Sequence, residues 1–191
     1  MKIEEYREKI KEIFENLDII GGVVYRLSSE NFTLEIGRRV LNKELKLDGI
    51  PVYSANVKEP FGYIDKSLIE DFSKPSILWG IDGDWMVNTI SENIPFYPTD
   101  HAGVLRLNTD KINYRYLAYK LEKEGQKEGF SRSYRASIGQ IKKLSFEIPD
   151  LTLQNEAVDK VIELEKLIKN EEENIEKISI EKNKVLERYL R

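Results

Sequence analysis

No proline or glycine follows Pro149, and that uninterrupted run constrains the fold more than any other stretch of the chain. Both residue types break helices, so residues 151–191 are left with one long helix as their natural conformation. Its start is signalled by Pro149, Asp150 and Thr152, while Asn155 and Glu156 bring polar and acidic groups to the positive end of the helix dipole. In heptad phase, Val161, Ile168 and Ile175 fall at one core position and Leu164, Ile178 and Val185 at the other. Glu171 and Lys182 are the two polar intruders. A helix from Leu153 to Leu190 would be roughly 55 Å long at about 1.5 Å per residue. That exceeds what a compact domain of this size needs, so the helix is expected to project and to find a partner through that apolar stripe.

The stretch feeding this helix has a different character. Phe130 to Lys143 carries Arg132, Arg135, Lys142 and Lys143 with no acidic residue, and interleaves Tyr134 with Ser131, Ser133 and Ser137. Cations beside an aromatic ring and small hydroxyls are the residue types that contact phosphate. Leu144 to Ile148 then alternates apolar and polar residues as a half-buried strand does, and Pro149, lacking an N–H for the ladder, ends it.

The net charge of −4 argues at first against nucleic acid. Distribution changes that reading, because residues 106–143 hold 10 basic and 4 acidic groups. A basic patch on a near-neutral domain can still make several phosphate contacts. The opposing reading is a solvated charged face without a partner.

With 191 residues, 40% of them apolar, the chain can build one core plus an appendage. The absence of cysteine removes disulfides and thiolate-held metal. No run approaches ~18 apolar residues, and the charged MKIEEYREKIKEIF start is not a secretory signal. The expectation is a cytoplasmic protein with no membrane association.

At the amino end, Ile3, Tyr6, Ile10, Ile13, Phe14 and Leu17 recur at three- and four-residue spacing, the pattern of an amphipathic helix that could pack along the long one. Gly21-Gly22 closes it. Strands are predicted at the GVVYRL segment, Phe32–Ile36, Ile50–Tyr53, Ser76–Gly80, Trp85–Ile90 and Gly103–Leu107, with a helix over Lys111–Glu124 whose apolar side carries Ile112, Leu117 and Leu121. The class is α+β: an amphipathic helix (1–17), a mixed-sheet domain (18–150) and a long C-terminal coiled-coil helix (151–191).

Signatures of catalysis are absent or incomplete. Asn93-Ile94-Pro95-Phe96-Tyr97 is superficially like the Asn-Pro-Pro-Tyr loop of amino-methyltransferases, but Ile94 replaces a proline and no glycine-rich fingerprint precedes it. Asp82 and Asp84 lack the further oxygens of a calcium loop and read as turn residues. His101, the single histidine, adjoins Asp100 without a G-x-S-x-G nucleophile elbow, and there is no phosphate-binding G-x-x-x-x-G-K-[ST]. The chain is expected to be non-enzymatic, with no cofactor and no metal.

Four blocks in order carry a resemblance. GIPVYSANVKEPFGYID, SILWGIDGDW, TDHAGVLRLN and SRSYRASIGQIKKLSFEIPDLTLQNEAV are similar to the conserved blocks of the DNA-specificity subunits of type I restriction-modification systems. Asp150 stands where that family usually has a second proline, and the glycine expected near Ser131 to Arg135 is displaced to Gly129 and Gly139. Family members usually carry two target-recognition domains separated by two long helices, so this chain resembles a half-subunit. The resemblance implies double-stranded DNA as ligand and a homodimer or a pair with a similar half through an antiparallel coiled coil. It also implies methyltransferase (modification) subunits held by the helices, a restriction/translocase subunit in the same complex, and catalysis on those other chains. The DNA contacts expected are Ser131, Arg132, Ser133, Tyr134, Arg135, Ser137, Lys142 and Lys143, joined by Ser54 and Asn56 and, more weakly, the Trp79–Asn88 segment. The dimer contacts expected are Val161, Leu164, Ile168, Ile175, Ile178 and Val185. A reading from a different class makes the long helix the oligomerisation arm of a protein-interaction module that binds no DNA. An acidic DNA mimic is disfavoured by 30 basic residues.

Overall fold

The computed structural model describes residues 2–189, apart from the side chains of residues 185, 188 and 189. It divides into two compact units, Gly22–Leu151 and a unit that joins Met1–Gly21 to Thr152–Arg191.

The two-terminus unit is helical. Helix α1 (Lys2–Asp18) buries Phe14 and Leu17 and leaves its charged face to solvent. In chain order the globular unit follows. Strand β1 (Val23–Arg26) leads to β2 (Phe32–Ile36), a single 3-10 turn (Asn42–Glu44), β3 (Ile50–Tyr53) and β4 (Gly62–Ile64). Next come β5 (Ser76–Gly80), β6 (Val87–Ile90), β7 (Tyr97–Pro98) and β8 (Ala102–Leu107). Helix α2 (Tyr114–Glu128), the short α3 (Ile138–Ile141) and β9 (Ser145–Ile148) complete the unit, and α4 (Leu151–Tyr189) is the long helix.

The main sheet runs β2-β8-β5-β6, antiparallel throughout. An interior strand covered on both faces should be apolar without alternation, and all five residues of β5 are buried. One face of this sheet carries the cluster Val57, Leu78, Ile90, Phe96, Ala102 and Val104, all buried. A second sheet, β4-β3-β7, is mixed: β3 pairs antiparallel with β4 and parallel with β7. A third pairs only β1 with β9, antiparallel, with Val23 opposite Ile148. Gly22 lies so close to that second strand that a Cβ on it would sit 2.0 Å from the Ile148 carbonyl oxygen, which explains a glycine at the entry to β1.

Both ends of α2 differ from those read in the sequence. Helix α2 starts at Tyr114 rather than Lys111, because the Asn113 side chain accepts the Arg115 N–H at 2.9 Å and so caps it there. It also runs past Gly125 to Glu128 and stops at Gly129, whose φ of 77° is the left-handed conformation that ends helices. Strands β4 and β7 were not anticipated. They hold three and two residues, and each exists because β3 lies beside it.

Within the helical unit α1 runs antiparallel along α4. Lys2 meets Glu171 at 3.1 Å and Arg7 meets Glu172 at 3.5 Å, while Ile13 and Asn16 line a groove with Lys160, Glu163 and Leu164. The expected stripe of α4 is therefore not uniform. Val161 is buried, Leu164 and Ile168 are half-buried, and Ile175 and Ile178 are 58% and 66% exposed. The Val185 side chain lies outside the described residues. No described helix is long and apolar enough to cross a membrane.

Candidate nucleic-acid interface

The basic stretch after α2 is pinned rather than free. Phe130 is buried, with its ring 5.1 Å from that of Trp85 and 5.4 Å from that of Tyr134. Trp85 is itself fixed by donating its indole N–H to the Glu122 carbonyl at 2.8 Å. From this anchor the chain makes a tight turn closed by two reciprocal bonds, Ser131 N–H to Tyr134 O at 2.9 Å and Tyr134 N–H to Ser131 O at 3.2 Å. Arg132 and Ser133 form the exposed tip, and Tyr134 and Arg135 are exposed on its return arm. Buried Ala136 closes the segment: its N–H donates to Ile81 O at 2.9 Å and its carbonyl accepts the Trp79 indole N–H at 2.9 Å.

Ser137 caps α3, its side chain accepting the Gln140 N–H. Lys142 and Lys143 follow as exposed residues, with Lys143 Nζ 2.7 Å from Gln140 Oε1. The segment read as one basic loop thus contains a helical turn, anchored by fully buried Ile141. Serine-first capping of I-G-Q-I was the available signal, and a four-residue turn is too short for periodicity to reveal.

Three other loops converge on the same edge. The β5–β6 turn contributes Ile81 and Asp82, the segment before β8 contributes Thr99 and His101, and the loop after β3 contributes Ser54 and Asn56. Ile81 N–H donates to His101 O at 3.0 Å, and Thr99 Oγ1 lies 3.1 Å from Ser54 Oγ. A Cβ on Gly80 would sit 2.3 Å from the Ala55 carbonyl oxygen, so the first and third of these loops touch through backbone. Ser54 is half-buried and already bonded, and the Asn56 Oδ1 accepts the backbone N–H of Lys58 at 2.9 Å, closing its own turn. Both therefore shape the edge, and Asn56 presents its amide from an exposed position. Burial raises the Tyr53 phenol, next to Ser54, above its ordinary value. Trp79 is fully buried and Val87 nearly so, which takes both out of contact with any ligand.

At the centre of the edge lies an arrangement that sequence reading did not assemble. Asp82 has His101 Nδ1 at 2.9 Å from both its oxygens and Arg135 Nη2 at 3.2 Å from one of them. Asp100 is further away, 3.8 Å from His101 Nε2. The three partners come from positions 82, 101 and 135, so no local spacing signals them. Chemically the edge offers exposed cations, an aromatic ring and hydrogen-bonding side chains on a rigid frame, without a nucleophile held by a base. Among the described residues, no group of three or more His, Cys, Asp or Glu could hold a metal ion.

Comparisons with known proteins bear on this geometry. No curated protein sequence matches the chain. Among solved structures, the S subunit of a type I restriction-modification system from M. genitalium superposes with a TM-score of 0.68 at 16% identity, over 94% of this chain and 52% of that one. The HsdS subunit from Thermoanaerobacter tengcongensis matches with a TM-score of 0.60 at 13% identity, over 88% and 45% of the two chains. A chain from a structure addressing assembly and conformational transition of the type I R-M system gives 0.60 at 15% identity, over 94% and 50%. The chain thus spans about half the length of the solved structures it matches. The family description "type I restriction modification DNA specificity domain" matches residues 28–179. That match covers both the four-loop edge and much of α4, and the chain accordingly belongs to the type I restriction-modification DNA specificity domain family.

Proposed function

We propose that the globular unit binds double-stranded DNA and reads one part of a target site for a cytoplasmic type I restriction-modification complex. The observation that carries this reading is the exposed Arg132–Tyr134–Arg135 turn, held at one edge of the sheet by Ala136, Trp79 and Ile81. Rigid presentation of cations and polar groups is what groove recognition requires, because phosphate contacts set the register and base contacts supply the sequence. Ser131, Ser133, Ser137, Lys142, Lys143, Ser54 and Asn56 flank the turn as further contacts. Methyl transfer and cleavage belong to partner chains, namely the methyltransferase subunits and the restriction/translocase subunit.

The long helix gives this reader its partner. A single small domain specifies only a short half-site, and each mismatch costs only ~1–3 kcal/mol, too little to select one locus in a genome. Pairing of α4 with the same helix of a second copy, antiparallel, puts two reading edges under two-fold symmetry and yields a palindromic bipartite site with an unread spacer.

Duplex binding measured across a salt series tests the reading. Several phosphate contacts make affinity fall steeply with salt, and R132A/R135A should weaken binding and flatten that slope, by about two units where both arginines meet phosphate and by about one where only one does. A chain with no duplex affinity at low salt would favour the protein-interaction module instead.

A further inference from the structure

The two arginines of the turn differ in their surroundings, and that difference divides their roles. Arg132, at the tip, has no partner among the described residues other than solvent, whereas Arg135 is engaged by Asp82. Asp82 is 25% exposed, and His101 Nδ1 lies 2.9 Å from both its oxygens, including the one that Arg135 approaches. The contact is not what anchors the segment, because the backbone of Ala136 is already fixed from both sides by Ile81 and Trp79. An ion pair with a guanidinium 56% exposed also adds little to stability. What the pair does is draw one side chain toward Asp82: one terminal nitrogen lies 3.2 Å from a carboxylate oxygen, while the side chain as a whole stays 56% exposed and within reach of a ligand.

Electrostatics then select what the open edge can meet. A phosphate approaching Arg135 would face the Asp82 carboxylate at 3.2 Å from the guanidinium, with exposed Asp84 in the same turn and Asp100 beside His101. Like charges at such range repel, and the arginine is already neutralised in part. A base edge carries no net charge and incurs no such repulsion. Among base edges, guanine presents the two acceptors, O6 and N7, that match an arginine fork in the major groove.

Resting on the proposed reading of DNA, we infer that Arg135 is a base-reading side chain, held by Asp82 and His101 so that its free guanidinium edge meets a guanine, while Arg132 contacts phosphate. Asp82 and His101 are positioning residues. A guanidinium aimed in advance loses less freedom on binding than a free one, which sharpens the difference between the right base and the wrong one.

The test is selection by the full chain from a random duplex library, followed by salt titrations on the selected site and on single-base variants of it. R135A and R135K are expected to lose a guanine preference at one position of the half-site, worth about ten- to hundredfold. R135K should retain the full salt slope, since lysine keeps the charge and lacks the fork. D82N should erode the same preference at the same position, and with the repelling carboxylate gone its slope should not fall. R132A should lower the slope by about one unit and leave every base preference intact. The inference is overturned if R135A weakens all sequences equally and reduces the slope, or if D82N leaves the preference unchanged. Failure of the unsubstituted chain to bind any duplex would overturn the proposed function, and this inference with it. Binding with an unaltered base preference in R135A overturns the inference alone.

Discussion

Trp79 donates its indole N–H to the carbonyl of Ala136 at 2.9 Å, and so ties the interior strand of the main sheet to the end of the basic turn. The ring is fully buried and lies where Gly103 leaves room for it, since a Cβ there would come within 2.1 Å of the indole. Core and loop edge are thus joined through one side chain. Phe130 and Trp85 supply a second tie, so the turn is fixed at both of its ends.

Replacing Trp79 by phenylalanine keeps an aromatic ring in the core but removes the donor. The Ala136 carbonyl is left buried and unpaired, and the lost indole atoms leave a void. The expected cost is about 2–4 kcal/mol of stability. Duplex affinity of the folded fraction should drop as well, because the return arm of the turn loses one of its two anchors. Urea unfolding alongside duplex titration at a temperature where the variant is folded checks both. A variant as stable as the parent would show that the bond contributes nothing to the core.

Gly125 offers a change whose sign depends on tertiary structure. Glycine to alanine inside a helix ordinarily stabilises by roughly 0.5–1 kcal/mol. Here a Cβ would sit 2.2 Å from the Trp85 ring, which cannot swing away because it is bonded to the Glu122 carbonyl and packed on Phe130. G125A is expected instead to destabilise by about 1–3 kcal/mol, the usual range for overpacking. The pair G125A/W85F should recover part of the loss. A stabilised G125A variant in thermal melts would show that the Trp85 packing yields.

How far the fold could be read from the chain follows from the range of the interactions. The long helix, the amino-terminal amphipathic helix and the strands Ser76–Gly80 and Ala102–Leu107 announce themselves through local periodicity and the absence or presence of breakers. Strand Tyr97–Pro98 does not, because two residues have no period and its only reason to be extended is Val52 opposite Tyr97. The exposed arginines and serines of the turn were visible as a run without acid. Their link to Asp82 and His101 was not, since those groups meet across 19 and more residues and an aspartate in a D-G-D turn looks the same whether or not it holds a partner. The heptad stripe of the long helix was legible as a pattern. What covers each position was not: helix α1 runs beside its first part, and nothing in a single sequence says where that cover ends.

That division gives the last prediction its choice of residues. Val161 is buried within the chain, and Leu164 and Ile168 are half-buried, so substitutions there would disturb the protein's own packing as well as any pairing between copies. Ile175 and Ile178 are exposed and lie beyond Glu171 and Glu172, the residues that the start of α1 reaches. Leu186, 48% exposed, adds to the same face, whereas Ile180 lies on the opposite side of the helix. An apolar stripe of this kind, left open on a polar helix, favours association with a second helix. I175D/I178D should therefore abolish self-association while changing the unfolding midpoint of the monomer little, because exposed substitutions seldom shift stability by more than about 0.5 kcal/mol. Light scattering at micromolar concentration reads the first effect and urea unfolding the second. The dissociated variant should also lose binding to a two-part site far more than to a single half-site, since linkage multiplies the affinities of the two reading edges. A parent chain that scatters as a monomer, alone and with its methyltransferase subunits, would remove the basis for two-fold pairing. A substituted chain that stays dimeric would place the contact elsewhere than on this stripe.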